Sequence, residues 1–203
     1  AEVQSVKRRS TAVEMALDYF EEANAAFAAG RLDEALEGYD RSIALNSTDA
    51  YAHFNRALTL SDLERYEEAL QAYETASVID PLDPDTHNNL GVVLGRLGQL
   101  EAALEAFQSA IALDPALASA SYNSGVALQR LGAIEEALEA YRVAIELDPG
   151  QPDARFNRAL IQVSHEFGGL PTSDELSLAI RCSPNHRYLR QNLAWILERT
   201  SEV

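Results

Sequence analysis

The chain of 203 residues is long enough to bury an apolar core without disulfides or metals to hold it together. Its 33 alanines and 27 leucines outnumber its 10 valines and 8 isoleucines, and this bias favours helix over sheet. Sixteen basic and 32 acidic residues give a formal net charge of -16. Such a charge repels nucleic acid and anionic lipid, so sequence-independent nucleic-acid binding is excluded.

Thiol and metal chemistry are also disfavoured. A single cysteine, Cys182, cannot form an intramolecular disulfide, and with four histidines it cannot supply a thiolate-rich zinc site. No apolar run of about 18 residues predicts a membrane-inserting helix, and the first 15 residues lack the apolar core of a signal peptide. We expect a protein without metal or cofactor, located in the cytoplasm, although the start at Ala1 leaves earlier processing open.

The predicted elements recur with a period of 34 residues, and Asp-Pro pairs mark the end of three of these periods. An alanine in each period is followed four residues later by an aromatic ring and three residues after that by a small side chain. These spacings place the three on one face of a helix. The Asp-Pro pairs begin at Asp80, Asp114 and Asp148, and the rings are Tyr39, Tyr73, Phe107 and Tyr141.

Another helix is predicted upstream of this one in each period, with a turn between the two. We call the upstream helix of each period its first helix and the downstream one its second helix. Gly30, Gly98 and Gly132 lie in this turn, whereas Glu64 breaks the series. Gly91 and Gly125 lie where the upstream helix must approach the downstream one. Each period therefore predicts a helix, a turn and a helix.

This order of small, aromatic and proline positions resembles the tetratricopeptide repeat family, whose units are 34-residue helical hairpins. The resemblance implies an all-α fold, a right-handed superhelix (α-solenoid) of stacked helix-turn-helix units. It covers five repeats, the last of them degenerate: 16–49, 50–83, 84–117, 118–151 and 152–186.

The two ends of the chain are predicted to differ from the repeats. Residues 1–15 are interpreted as an irregular polar tail and the start of the first helix. Residues 187–203 are interpreted as a capping helix and tail, because a repeat stack exposes its last apolar face unless something covers it. The turn of the fifth repeat, residues 167–171, is expected to be irregular.

Candidate binding residues lie on the first helices, which line the concave face of such a stack. Asparagines recur there every 34 residues, and a last one follows after 35. A side-chain amide can donate and accept, so a row of amides could hold an extended main chain, as such rows do in the family. The alternative is that they bond neighbouring repeats to each other. The row is Asn55, Asn89, Asn123, Asn157 and Asn192.

Apolar positions run beside this row, and we expect them to anchor a ligand at the edges of the groove. The alternative is that the aromatic side chains are half buried between neighbouring first helices. One residue before the row lie Phe20, Phe54, Asn88, Tyr122 and Phe156; three after it lie Asn24, Leu58, Val92, Val126 and Leu160; Arg96 and Arg130 complete the predicted site.

Two other functions, binding of a chaperone C-terminus and catalysis, are not supported by the sequence. Some members of the family bind the acidic C-terminus of a chaperone through cations on their first helices. Here Phe20, Asp85 and Asn89 stand where those cations would be required, so this chaperone-binding function is rejected. No nucleophile spacing, phosphate-binding loop or metal-ligand cluster is recognisable, and the repetition itself explains His53 and His87.

The sequence therefore predicts a non-catalytic scaffold that binds an extended, neutral to basic segment of a partner protein in its concave groove. Nucleic acid and direct membrane insertion are not expected. Two alternatives stay open, namely self-association and a role as assembly factor for a larger complex, including a membrane complex.

Overall fold

A computed structural model describes residues 2–165, and in this part of the chain all regular structure is helical. The predictions for the turn at 167–171, the capping helix at 187–203 and Asn192 lie outside the described residues. The helices are α1 Glu2–Ala28, α2 Leu32–Leu45, α3 Ala50–Asp62, α4 Tyr66–Ile79, α5 Pro84–Arg96, α6 Leu100–Leu113, α7 Ala118–Leu131, α8 Ile134–Leu147 and α9 Pro152–His165.

The helices belong to two compact units, residues 1–114 and residues 115–203. In the first unit α1 pairs with α2, α3 with α4 and α5 with α6, and each second helix also packs against the next first helix. In the second unit α7 pairs with α8, and α8 packs against α9. Each unit is thus built from helical hairpins in contact through consecutive helices.

Helix α1 departs from the sequence prediction because it has 27 residues, whereas α3 has 13. The irregular tail expected at residues 1–15 is instead helical from Glu2 onward. The physical reason is that residues 1–29 contain neither glycine nor proline, so nothing in this stretch breaks the helix.

The turn inside each hairpin has one backbone geometry. Its central residue has a positive φ, and the next amide donates to the carbonyl oxygen five residues earlier, at 2.9–3.0 Å. This bond closes the helix end as in a Schellman motif. Glycine supplies the positive φ of 73° to 80° at three of these turns, but Glu64 adopts a φ of 58° at the fourth.

Replacing Glu64 with glycine should stabilise the protein by about 1 kcal/mol, because a side chain in the left-handed region costs about 1–2 kcal/mol and glycine gives back part of this as chain entropy. Chemical denaturation followed by circular dichroism measures the change. The matched control is Glu67→Gly in the first turn of α4, which should destabilise. A loss of stability in Glu64→Gly would contradict the strain argument.

The loops between hairpins are closed by aspartates. Asp80 and Asp148 end α4 and α8, and each carboxylate accepts a hydrogen bond from the amide two residues later, at 3.1 and 2.9 Å. Asp49 and Asp83 then cap α3 and α5 by accepting bonds from first-turn amides. The Asp-Pro pair therefore ends a second helix, and a separate residue starts the next first helix.

A further side chain ties each of these loops to the following helix. His53 and His87 place Nε2 at 3.1 and 3.0 Å from the carbonyl oxygens of Ser47 and Pro81. At the same place in the second unit Arg155 donates from Nη2 to the Pro149 carbonyl oxygen at 2.6 Å. The two histidines thus have a structural partner that repeats with the period.

The core of each hairpin is an aromatic ring on the second helix packed against a small residue on the first. A Cβ atom at Gly91 would lie 2.5 Å from the Phe107 ring, and one at Gly125 would lie 2.7 Å from the Tyr141 ring. Tyr73 is buried among residues of three helices, including Ala57 and Val93. The small residues on the first helices therefore make room for these rings.

Candidate functional site

The predicted site residues lie along the first helices, on a surface that we call the first-helix face. Each unit has such a face of its own, formed by α1, α3 and α5 in the first unit and by α7 and α9 in the second. Adjacent first helices touch in the first unit. The four described asparagines of the row, namely Asn55, Asn89, Asn123 and Asn157, are all partly exposed.

Asn55 takes part in a hydrogen-bonded chain across two hairpins. Its Nδ2 donates to Oδ1 of Asn24 at 3.2 Å, and the same oxygen accepts the Tyr39 hydroxyl at 2.7 Å. Asn55 on α3 is thereby tied to α1 and α2. At the position of Asn55, the asparagine row therefore stabilises the packing of two neighbouring repeats.

Asn157 has a similar connection in the second unit. Its Nδ2 donates to the Tyr122 hydroxyl at 3.3 Å and lies 3.5 Å from the Tyr141 hydroxyl. The Tyr141 hydroxyl in turn donates to Oε1 of Gln129 at 2.8 Å. The amide of Asn157 is therefore oriented by the tyrosines of the preceding hairpin.

Asn89 differs from these two residues. Among residues 2–165 its side chain has no hydrogen-bond partner, and the tyrosine of the preceding hairpin, Tyr73, is bonded to Ser61 instead. Asn123 interacts within the chain. Asn89 is thus the described member of the row whose amide, although only partly exposed, makes no hydrogen bond to residues 2–165.

Burial raises the pKa of the tyrosine hydroxyls that lie beneath the asparagine row. It raises the pKa of Tyr39 to about 12, and it raises the pKa of Tyr73 and of Tyr141 still further. Burial also raises the pKa of Tyr122, with a smaller contribution from the negative charge of Asp153. A phenol with its ordinary pKa of about 10 is already protonated at neutral pH, and these shifts keep the hydroxyls able to donate and accept in alkaline solution as well.

The aromatic residues beside the row pack largely against the protein itself. Ring centroids of Phe20 and Tyr39 are 5.9 Å apart, and those of Phe54 and Tyr73 are 5.6 Å apart. Tyr122 contacts Tyr141 in the same way at 5.9 Å. These rings are half buried, each against the tyrosine on the second helix of its own hairpin, so only part of each ring is accessible.

Two predicted site residues are corrected by their burial. Asn88 and Phe156 were both expected on the accessible face, but each side chain is only 7% exposed. At these two positions the residue before the row is therefore buried, whereas Phe20, Phe54 and Tyr122 at the equivalent positions are half buried. Neither residue can provide much area to a ligand.

The remaining predicted residues have varied exposure. Leu58, Val92 and Val126 are partly buried, whereas Arg96 and Arg130 are exposed in the last turns of α5 and α7. The Leu160 side chain and Asn192 lie outside the described residues.

Sequence reasoning missed two large apolar residues on the same face. Tyr51 is 72% exposed near the start of α3, and Leu17 is 56% exposed at the corresponding place on α1. Leu17 and Tyr51 are 34 residues apart from each other, so they occupy the same position in consecutive repeats, and the repeat period could have identified them. Exposed apolar groups of this size are typical anchors in protein recognition.

The charge on the first-helix face of the first unit is mainly negative. Glu21, Asp62 and Asp85 are exposed there, and Arg96 is a nearby cation. On the second helices, by contrast, arginines pair locally with glutamates, as Arg65 does with Glu68 at 2.6 Å. The exposed charges of the first helices in this unit are therefore mostly carboxylates without such local arginine partners on the same turn.

Family models cover most of the repeated region. A model described as "TPR repeat" matches residues 23–64 and 60–98, and one described as "Tetratricopeptide repeat" matches residues 88–152. The chain belongs to the tetratricopeptide repeat family. This family is generally a non-catalytic protein-interaction fold, so this repeat protein is a protein-interaction scaffold in the broad sense.

Solved structures support the same fold for this tetratricopeptide repeat protein. YrrB, titled "a TPR protein with an unusual peptide-binding site", is 27% identical, with a TM-score of 0.71, and the match covers 96% of this chain and 98% of YrrB. MamA from Desulfovibrio magneticus RS-1 is 21% identical, with a TM-score of 0.70 over 88% of this chain and 96% of MamA. No curated protein matches the sequence significantly.

A third structure shows a related module with a ligand. The first TPR of Spaghetti (RPAP3) bound to the HSP90 peptide SRMEEVD is 24% identical, with a TM-score of 0.57 over 59% of this chain and 95% of that one. Together these matches make the repeat protein an all-α helical-repeat solenoid.

In the described part of this repeat protein, no helix is both long and apolar enough to cross a membrane. Residues 2–165 also bring together no group of three or more potential metal ligands from histidine, cysteine and carboxylate side chains.

Proposed function

We propose that the first-helix face binds an extended segment of a partner protein by its main chain. The observation that carries the proposal is the partly exposed row of asparagines, in which the Asn89 amide has no partner among the described residues. Such an amide can accept from a peptide N–H and donate to a peptide C=O, whatever the side chain between them. The protein acts as a scaffold rather than as a catalyst.

The bonds inside the protein are compatible with this function. Asn55 uses one of its two amide hydrogens on Asn24, so its oxygen and its other hydrogen remain for a ligand. Asn157 is likewise held through Nδ2, and its oxygen remains. Side chains already fixed in one orientation lose less entropy when a ligand binds. The hydrogen bonds inside the protein therefore hold Asn55 and Asn157 in one orientation before a ligand binds.

Apolar and charged groups around the row favour a particular kind of segment. Tyr51 and Leu17 offer exposed area for an apolar side chain. The carboxylates of Glu21, Asp62 and Asp85 favour neutral or basic residues and disfavour acidic tails. The HSP90 peptide SRMEEVD is bound by a related module, but the negative face here argues against an acidic ligand of that kind.

Replacing Asn89 and Asn123 together with alanine should weaken partner binding roughly 5- to 150-fold, because each lost hydrogen bond contributes about 0.5–1.5 kcal/mol. A partner segment identified by affinity purification from the native host would be titrated as a peptide by calorimetry. Circular dichroism and denaturation should show an intact fold, since both side chains are partly exposed.

The matched control replaces the exposed amides Gln71 and Gln108 on the second helices with alanine, and it should leave affinity within about twofold. Unchanged affinity of the asparagine variant, with the fold intact, would contradict the proposal. Equal losses of affinity in the asparagine variant and in the glutamine control would mean that the ligand does not bind at the asparagine row.

A further inference from the structure

An open cleft lies between α1 and α2 of the first hairpin, and we call it the end cleft. It has a volume of about 420 Å³ and is lined by residues of both helices. Its floor consists of the buried Ala23 and Ala26 of α1 together with Gly38 of α2. Gly38 lets the two helices approach closely, because a Cβ atom there would lie 2.8 Å from Cβ of Ala23.

The second hairpin shows how the same surface is covered when another hairpin precedes it. The residues 34 positions after those of the floor are Ala57, Leu60 and Ala72, and all three are buried. They belong to one apolar cluster with Leu36 of α2, the second helix of the preceding hairpin. Among the described helices none takes this place in front of the first hairpin. The end cleft is therefore the place where a side chain equivalent to Leu36 would pack.

An ion pair beside this cluster shows which charge the packed helix carries. Arg56 of α3 donates from Nε to Asp40 of α2 at 2.6 Å, and Asp40 lies about one helical turn after Leu36. At the position equivalent to Arg56 the first hairpin has Glu22, which lines the end cleft. Because the charge is reversed there, a helix that packs on the end cleft needs a cation in place of the aspartate.

The other charged groups around the end cleft already have partners. Arg31 donates from Nε to Glu34 at 2.8 Å, and Arg41 pairs with Glu37. Glu22 is exposed and makes no hydrogen bond or ion pair within the described part of the chain. Its carboxylate is therefore the charge that remains for a ligand.

We propose that the end cleft binds an amphipathic helix of a partner protein that carries a leucine and, four residues later, a lysine or arginine. The leucine packs on the floor of the cleft, as Leu36 packs on the second hairpin, and the cation faces Glu22. This site is separate from the asparagine row and does not depend on the function proposed for that row.

A second copy of this chain is a poor source of such a helix. Among its 27 leucines only Leu138 is followed four residues later by a cation, Arg142. Both residues lie in α8, and Leu138 already packs against a cluster that includes Ala154 and Ile161 of α9. A copy that offered α8 would have to separate it from α9, so the partner is a different protein.

Synthetic peptides with the sequence of α2, residues 32–45, test the proposal on the full chain. A covalent link between positions 37 and 41, both exposed in the protein, keeps the peptides helical. The peptide with Asp40→Arg should bind at least threefold more tightly than the unchanged peptide, measured by fluorescence anisotropy in about 50 mM NaCl. Leu36→Ser in the arginine peptide should weaken binding at least tenfold, because the leucine supplies the apolar contact.

A control peptide keeps the net charge and moves the cation. Glu34→Arg with Asp40 retained has the same net charge as the Asp40→Arg peptide, but its arginine lies on the opposite side of the helix from Leu36. It should bind within about twofold of the unchanged peptide. A general attraction to the acidic protein would instead strengthen both arginine peptides equally.

A charge reversal in the protein tests the contact itself. In Glu22→Arg the preference should reverse, so that the unchanged peptide binds at least threefold more tightly than the Asp40→Arg peptide, as in the Arg56–Asp40 pair. The control Glu21→Arg makes the same change of net charge on an adjacent exposed residue and should keep the preference of the parent. Circular dichroism checks that both variants keep the helical content of the parent.

Absence of binding by the Asp40→Arg peptide at about 1 mM would overturn the proposal. An unchanged preference in Glu22→Arg would also overturn it, and so would equal binding of the two arginine peptides. Dimers of the parent chain that the Asp40→Arg peptide dissociates would assign the end cleft to a second copy instead.

The variant with alanine at both Asn89 and Asn123 separates this site from the asparagine row. It should bind the Asp40→Arg peptide like the parent, so a failure of the peptide to bind leaves the function proposed for the row unaffected. Loss of peptide binding in this variant, with the fold intact, would place the peptide on the row and overturn the assignment to the end cleft.

Discussion

Replacing Tyr73 with alanine should destabilise the protein by about 3–5 kcal/mol, the largest effect that we expect from one substitution. The ring is 1% exposed and packs edge-on against Phe54, with ring centroids 5.6 Å apart. It also belongs to a cluster with Leu60 and Val93, so its removal leaves a cavity between three helices. Denaturation with guanidinium, followed by circular dichroism, measures the loss.

Two control variants separate the ring from the hydroxyl group and from tyrosine in general. Tyr73→Phe removes only the hydroxyl bonded to Ser61 and should cost about 1 kcal/mol. Tyr51→Ala removes a tyrosine that is 72% exposed and should stay within about 0.5 kcal/mol of the parent. If Tyr73→Ala cost no more than Tyr73→Phe, the ring would not support the packing described here.

Replacing Gly91 with alanine should destabilise the protein by up to about 2 kcal/mol, although alanine is the better helix former. Helix propensity favours the substitution by about 1 kcal/mol. The new Cβ atom would, however, lie 2.5 Å from the buried Phe107 ring, and overpacking of this kind costs about 1–3 kcal/mol. The ring and α5 must move apart, so packing outweighs propensity.

A double substitution tests this cause. Phe107→Leu in the Gly91→Ala background should recover part of the loss, because the smaller side chain leaves room for the methyl group. Denaturation midpoints of the parent, both single variants and the double variant form the cycle. Additive losses would contradict a steric conflict between the two positions.

The repeated architecture could be predicted from particular residues because its signals are local. The 34-residue period, the glycines at the turns and the Asp-Pro pairs each act through the backbone of a few neighbouring residues. Gly30, Gly98 and Gly132 have the positive φ that such a turn requires, and Glu64, which breaks the series in sequence, is forced into the same conformation. The family and the helical-repeat fold follow from these signals and are confirmed.

The candidate site could be predicted only in outline. The register of the asparagine row follows from the period, but Asn88 and Phe156 are buried, and Tyr51 and Leu17 were overlooked. Exposure depends on how neighbouring helices pack, and a sequence period assigns a residue to a helix face without saying how much of that face is covered. The binding role of the row remains a proposal.

What the sequence by itself determined is the succession of helices and turns, because propensity, glycine turns and apolar spacing act over a few residues. The tertiary structure decided which polar groups find partners. Asn55 reaches Asn24 and Asn157 reaches Tyr122, whereas the equivalent Asn89 has none among the described residues. These residues share one place in the repeat, and they differ because a hydrogen bond depends on the side chains that neighbouring repeats bring within about 3 Å.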